Sequence, residues 1–305
     1  MESVSQGAEK SLDKYICIAQ KCLSETPTIV LGSGASMPFN LPGMVELLVA
    51  LTKNMKAETD EDKAAWGNFL RVSNDKGLEG ALSEIQLSSY LTQQLVEQTW
   101  SLINHADLAI FYDVIAGRLT LPLTRLIKYL FRSTQSIINI VTPNYDRLAE
   151  YSANRAGFPY FSGFQQGYIQ SWRPEEMPAR YLLKERLAII RMVCIWKVHG
   201  SLDWFMDNNQ SPIALPHATT IPKDIRPLII TPGTQKYKDT HHEPFRTLLS
   251  RADSALTKAK AFLCIGYGFN DEHIQPKLIE SCTRDSTMIV VVARKLTEAA
   301  KLFFA

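Results

Sequence analysis

Ile29-Val30-Leu31-Gly32-Ser33-Gly34-Ala35-Ser36 is an apolar run that stops at a glycine-rich turn, and the same pattern recurs along the chain. Ile137-Ile138-Asn139-Ile140-Val141 runs into Thr142-Pro143-Asn144-Tyr145-Asp146. Val193-Cys194-Ile195-Trp196-Lys197-Val198 runs into His199-Gly200-Ser201. Phe262-Leu263-Cys264-Ile265 enters Gly266-Tyr267-Gly268-Phe269-Asn270-Asp271, and residues 287–293 form a last apolar run. A further strand is read over 226–231, with Arg226-Pro227 at its start, where a missing amide is tolerated. Near-continuous apolar strands separated by helical stretches point to a parallel sheet covered on both faces. Ligands of open α/β sheets sit outside the carboxyl ends of the strands. A glycine turn, an Asn/Asp pair and a His therefore stand where such a sheet places chemistry.

Outward from these runs, the spacing predicts helices. Residues 8–24 place Leu12, Tyr15, Ile16, Ala19 and Leu23 on one face. Pro42 suits the first turn of the next helix, with Glu46 at its positive end. Between about 54 and 134 the composition turns to Ala, Leu, Gln, Glu and Lys, and helices are read over 61–72, 79–88, 90–102, 105–115 and 121–133. That block is far longer than an ordinary crossover. Helices over 145–156 (closed by Gly157), 243–259 and 272–282 complete the reading, and a short one ends the chain. The aromatic stretch 158–190 reads as irregular, with Tyr160, Phe161, Phe164, Tyr168 and Trp172 either lining a pocket or covering the core. The expected fold class is thus α/β, a Rossmann-like, mostly parallel sheet with helices on both faces plus a helical insertion or small second domain. Residues 1–53 and 135–305 make up the sheet domain, and 54–134 the insertion.

The 305 residues are 46% hydrophobic, ample for a core, and 33 basic against 31 acidic residues give a formal charge of +2. With no basic tract, direct nucleic-acid binding is not expected. The five cysteines, at 17, 22, 194, 264 and 282, form no Cys-x-x-Cys pair. They read as small hydrophobes in a reducing compartment, and no zinc or other metal is expected. The first residues lack an apolar signal core, and no stretch approaches the ~20 apolar residues of a membrane span. A soluble, cytoplasmic protein is expected.

Each strand end has a plain structural reading beside the chemical one. Gly32 and Gly34 either let backbone amides approach a phosphate at a helix N-terminus or simply make a tight turn. Met37 stands where Gly-x-Gly-x-x-Gly needs its third glycine, and no acidic residue follows at dehydrogenase spacing. A Walker A sequence is missing. Asn144 and Asp146 either face one ligand or cap the following helix. His199 is either a functional group or a satisfied core histidine. His241-His242-Glu243 lacks metalloprotease spacing, and Gly-x-Ser-x-Gly is absent.

Taken together, these segments resemble the sirtuin superfamily. Gly32-Ser33-Gly34-Ala35-Ser36 followed by Leu41-Pro42 resembles its glycine-rich NAD loop, and Thr142-Pro143-Asn144-Tyr145-Asp146 its Thr-x-Asn-x-Asp segment. Lys197-Val198-His199-Gly200-Ser201-Leu202-Asp203-Trp204 is similar to the His-Gly block of bacterial sirtuin-like proteins, and Ile265 to Asp271 to their late glycine segment. Two Cys-x-x-Cys pairs of the deacylases are missing, and Gly43-Met44-Val45 replaces their Asp-Phe-Arg. The resemblance therefore runs to sirtuin-like NAD hydrolases of bacterial anti-phage systems, in which NAD depletion aborts infection.

By that resemblance, Gly32, Ser33, Gly34, Ala35 and Ser36 hold the pyrophosphate and neighbouring ribose of NAD+, with Thr142 beside them. Asn144 positions water, Asp146 contacts the nicotinamide carboxamide, and His199 bonds ribose hydroxyls. Gly266, Gly268 and Asp271 surround the adenosine end. The implied partners are further copies of the chain and an activator such as a HerA-like ATPase or Argonaute. Two other classes stay open: a module that binds NAD or ADP-ribose without catalysis, and a protein deacylase or ADP-ribosyltransferase.

Overall fold

The computed structural model describes residues 2–177, 180–183, 186–231, 242–284 and 287–304. Its central sheet joins β1 (Thr28–Leu31), β2 (Ile137–Thr142), β3 (Tyr160–Phe161), β7 (Met192–Lys197), β11 (Ala261–Ile265) and β12 (Met288–Val292). The order is β12-β11-β1-β2-β7-β3, every pair parallel. From β1 the chain moves outward through β2 to the edge strand β3, places β7 between those two, then returns to the other side of β1 for β11 and β12. The order reverses between β1 and β11, and such a switch point opens a crevice at the carboxyl ends.

Successive strand residues point to opposite faces, and both faces here are apolar. Ile29, Leu31, Ile138, Ile140, Val193 and Ile195 pack with Ile127 and Leu130 of α5 (Pro122–Leu130) and with Ala149 and Ala153 of α6 (Leu148–Ala156). Val30, Val141, Cys194, Trp196, Phe262 and Cys264 pack on the other side, with Leu248, Ala252 and Leu256 of the helix Phe245–Thr257 and Leu278 of the helix Gln275–Arg284. Each of the Val, Leu, Ile and Phe side chains among them contributes ~1.5–3 kcal/mol on burial. The α/β reading of the sequence is the architecture observed.

Three local readings change. The 226–231 strand, seen as Arg226–Ile229 (β10), leaves the parallel sheet for an antiparallel one ordered β10-β8-β9-β4, with β8 Gly200–Met206, β9 Pro212–Ala214 and β4 Gln170–Ser171. The cause is Gly200, which turns the chain immediately after His199 at φ +90°; a Cβ there would stand 2.0 Å from the Leu228 carbonyl oxygen. The 158–190 stretch is not irregular: it carries β3, β4 and a hairpin of β5 (Arg180–Leu183) and β6 (Arg186–Ile189). Phe161 and Phe164 are core residues, whereas Tyr168 is 95% exposed.

The helical block is built from longer pieces than the spacing predicted. α3 (Asp60–Glu84) is interrupted at Gly77, α4 runs unbroken over Ser89–Ile115, and α5 follows. Thr59 and Ser88 cap α3 and α4 by accepting from the Asp62 and Leu91 amides at 3.0 and 3.2 Å. The break expected near residue 103 does not occur because Asn104 is an inward-facing hydrogen-bonding residue: its amide reaches the Ala218 carbonyl at 3.0 Å. α2 (Met44–Asn54) packs with α3 and the first half of α4 around Leu51, Phe69 and Leu91. It starts two residues after Pro42 because Glu46 accepts from the Gly43 amide at 3.0 Å. No described helix is long and apolar enough to cross a membrane.

Candidate active site at the strand ends

Thr142 ties two strand ends together. Its hydroxyl donates to the Leu31 carbonyl at 2.9 Å and accepts from the Asn144 amide at 3.0 Å. Asn144 Nδ2 then donates to the Gly32 carbonyl at 3.0 Å and to Ser36 Oγ at 3.1 Å. Both amide protons are thereby engaged, and Asn144 Oδ1 keeps its acceptor capacity. Ser36 Oγ in turn donates to Asp146 Oδ2 at 2.7 Å, and Asp146 Oδ1 accepts from the Leu148 amide at 3.2 Å. The residues read as a phosphate turn and as an Asn/Asp pair are thus one hydrogen-bonded cluster. Asp146 also holds the first amide of α6 from the residue before the cap position, which is Arg147, and α6 begins at Leu148 rather than 145.

The glycine turn is not the start of an α-helix. Residues Ser33–Ala35 and Met37–Phe39 form two short 3-10 turns, and α2 comes later. The amides of Gly32, Gly34, Ala35 and Ser36 bond to Ile265, Gly266, Gly32 and Ser33 carbonyls at 2.9–3.0 Å. These glycines are needed for close backbone packing: Gly266 has φ +58°, and a Cβ on it would stand 2.2 Å from the Ala35 nitrogen. Ser33 remains the exposed polar side chain of the turn. Gly268 is held by Thr297, whose hydroxyl donates to its carbonyl at 2.5 Å.

Lys197 supports the cluster from below. It is wholly buried, and its ammonium donates to the Asp146 carbonyl and pairs with Glu150 Oε1 at 3.1 Å. Burial pushes the Asp146 and Glu150 carboxyls upward, Glu150 to about 7, with the Lys197 charge opposing both. Thr142 pairs with Lys197 in the sheet, and the Val198 amide extends the ladder to the Thr142 carbonyl at 3.1 Å. Neighbouring strands run ~4.8 Å apart. Asn144 and His199 each lie two residues beyond that pair, at the carboxyl ends of neighbouring strands.

His199 is nearly buried, and its Nε2 lies 3.1 Å from Asp271 Oδ2, at ion-pair distance without the straight alignment of a hydrogen bond. Its ring stands edge-on to His273 at a centroid distance of 5.7 Å. The His199 carbonyl accepts from the Ile230 amide at 2.9 Å, and the Ile230 carbonyl accepts from the Tyr145 hydroxyl at 2.6 Å. Asp271, assigned by resemblance to an adenosine end with Gly266 and Gly268, thus sits against the histidine.

A second buried network lies one residue beyond Asp146. Asp107 of α4 accepts from the Arg147 amide at 2.7 Å, from Arg147 Nε at 2.9 Å and from the Tyr151 hydroxyl at 2.5 Å. Arg147 also reaches Asn104 at 2.8 Å and the Pro216 carbonyl at 3.0 Å. Asp107 and Arg147 are 0% and 2% exposed as side chains, so the helical block is fastened to the site by a desolvated ion pair. Sequence reasoning missed Asp107, Glu150 and the Asp271–His199 contact, since each pairs residues at least 40 positions apart. The signal available was a Lys inside an apolar strand, which demands a buried partner.

Among the described residues, no group of three His, Cys, Asp or Glu side chains could hold a metal ion; His241 lies outside them. Cys22, Cys194 and Cys264 are buried free thiols, and burial pushes Cys194 up to about 12.

Comparison with known proteins follows the same outline. The chain is similar to a solved structure described as the structural basis for the mechanism and regulation of Sir2 enzymes, at 13% identity over 93% of this chain and 88% of that chain, with a TM-score of 0.45. It is similar to a Sir2 homologue–NAD complex at 12% identity over 90% and 79%, TM-score 0.38. It is similar also to Sir2Tm bound to a propionylated peptide, at 14% identity over 92% and 86%, TM-score 0.45. These likenesses are too distant to carry an argument, and no curated protein matches the sequence. The SIR2-like domain profile matches residues 138–302, more than half of the chain and the whole span from β2 past Asp271. The chain belongs to the SIR2-like family.

Proposed function

We propose that this chain is an NAD+ glycohydrolase that cleaves NAD+ to nicotinamide and ADP-ribose. One observation carries the reading: Asn144, clamped by Gly32 and Ser36, and His199 each follow by two residues the paired Thr142 and Lys197, at the carboxyl ends of adjacent parallel strands. The SIR2-like family supplies the expectation of NAD.

The chemistry asks little of the protein beyond position. Nicotinamide leaves as a neutral base from a cationic ring, so cleavage builds oxocarbenium character on the ribose without a proton donor. Asn144 Oδ1 is the acceptor that orients water toward the anomeric carbon, because its Nδ2 protons are already committed. His199 accepts a proton from a ribose hydroxyl or from that water. Asp146, with both oxygens engaged by Ser36 and Leu148, acts by holding Ser36 and hence Asn144 in place. Positioned proton transfer contributes ~10²–10⁴-fold, and fixed orientation a comparable or larger factor. The phosphate contact proposed for the turn falls to the exposed Ser33 side chain, because the Gly32, Gly34, Ala35 and Ser36 amides are engaged by protein carbonyls.

Depletion of NAD+ as an anti-phage effector in the cytoplasm, with activation by self-association or by a partner such as a HerA-like ATPase or Argonaute, extends this proposal. The 54–134 segment as an insertion in a 1–53 and 135–305 sheet domain belongs to it too. Purified chain is incubated with NAD+, alone and with candidate activators, and products are separated by chromatography. Nicotinamide and ADP-ribose in equal amounts support the reading. Turnover that requires an acylated peptide moves it to a deacylase, and tight binding without turnover moves it to a sensing module.

A further inference from the structure

Resting on the role given to His199 above, we propose that Asp271 is its positioning residue. The carboxylate holds the imidazole as the Nε2–H tautomer and leaves Nδ1 as the proton acceptor of the ring.

The two oxygens of Asp271 have separate partners. Oδ1 accepts from the His273 amide at 3.0 Å and from the Ile274 amide at 3.1 Å, which pins the carboxylate to the turn ahead of the helix Gln275–Arg284. Oδ2 is the atom 3.1 Å from His199 Nε2. A carboxylate has no proton to give, so the nitrogen facing it carries one, and the other nitrogen is then the acceptor. Both side chains are close to fully buried, so the attraction is weakly screened. The rest of the histidine is fixed independently: its carbonyl is held by the Ile230 amide, Gly200 turns the chain directly after it, and the His273 ring stands against its edge. The carboxylate therefore chooses the tautomer of a ring whose place is already set.

Asp271→Asn separates this role from a merely structural one. The asparagine carbonyl can keep both amide bonds of the turn, while its NH2 group replaces Oδ2 and repels an Nε2–H. Ring-nitrogen NMR on 15N-histidine-labelled full chain reads the tautomer directly. The expected wild-type spectrum shows His199 as Nε2–H, and the variant shifts it to Nδ1–H with an unchanged melting profile. Turnover of NAD+ is expected to fall ~10²–10⁴-fold, the contribution typical of positioned proton transfer. The loss is expected to fall on kcat more than on KM, since the proton transfer is made only in the transition state. Asp271→Glu recovers part of the rate. A wild-type His199 in the Nδ1–H form, or a variant with an unchanged ring and rate, overturns the proposal. The spectrum decides the positioning claim even if the chain does not cleave NAD+, so the two readings fail separately.

Discussion

Asp107→Ala is the substitution with the largest consequence for the fold. The carboxylate is fully buried and accepts from Arg147 N, Arg147 Nε and the Tyr151 hydroxyl, with Arg147 Nη2 at 2.7 Å from Oδ2. Removing it strands a guanidinium that is itself 2% exposed and takes two further bonds from the helical block's tether. Removing one partner of a buried pair costs ~3–5 kcal/mol. For a chain of this length that is a fall in Tm on the order of 10 °C. Because Arg147 follows Asp146 directly, the loosened backbone also displaces the Ser36–Asp146 bond, and NAD+ turnover falls with stability. Replacing both partners by apolar residues, Asp107→Leu with Arg147→Met, removes the stranded charge and is expected to recover most of the loss. Urea and thermal unfolding of the single and double variants measure this. A loss below about 1 kcal/mol in the single variant, or a double variant no better than the single, refutes the account of the network.

Two other expectations are simpler. Ser36→Ala leaves Asp146 Oδ2 without its donor and Asn144 Nδ2 without one acceptor, which costs about 1–3 kcal/mol in urea unfolding and lowers kcat more than it raises KM. Glu150 binds its proton more tightly folded than unfolded, since burial raises it from 4.5 to about 7. Its contribution is present below pH 4.5 and is lost as pH rises to and through about 7, a change of about 3 kcal/mol. Glu150→Gln should flatten that fall between pH 5 and 8, and a slope identical to wild type in urea titrations would show that Glu150 does not carry it.

Much of the sheet is legible in the sequence because its signal is local. Runs such as Ile137–Val141 and Phe262–Ile265 are apolar on both faces, and only a strand buried on both sides needs that. Gly157 ends α6 in the left-handed conformation, as a C-terminal glycine should. Arg226–Ile229 misleads because a short apolar strand looks the same in either sheet. What separates it is the left-handed turn at Gly200, a backbone property that composition does not reveal. The site divides in the same way. Gly32, Asn144 and His199 announce themselves at strand ends, yet the glycines turn out to serve backbone packing against Gly266. Asp107, Glu150 and the contact of Asp271 with His199 are invisible to local pattern because each pairing forms through the tertiary fold. A charged residue in an apolar context flags such a partner without naming it.

The central claim is that Asn144 and His199 together cleave the nicotinamide–ribose bond. Asn144→Ala and His199→Ala are compared with the unaltered chain in an assay that quantifies nicotinamide release from NAD+, beside the same activator and with melting curves for each. The account predicts equal nicotinamide and ADP-ribose from the unaltered chain and a loss of at least ~10²-fold in both variants, with their folds intact. Near-unaltered cleavage by both would contradict it.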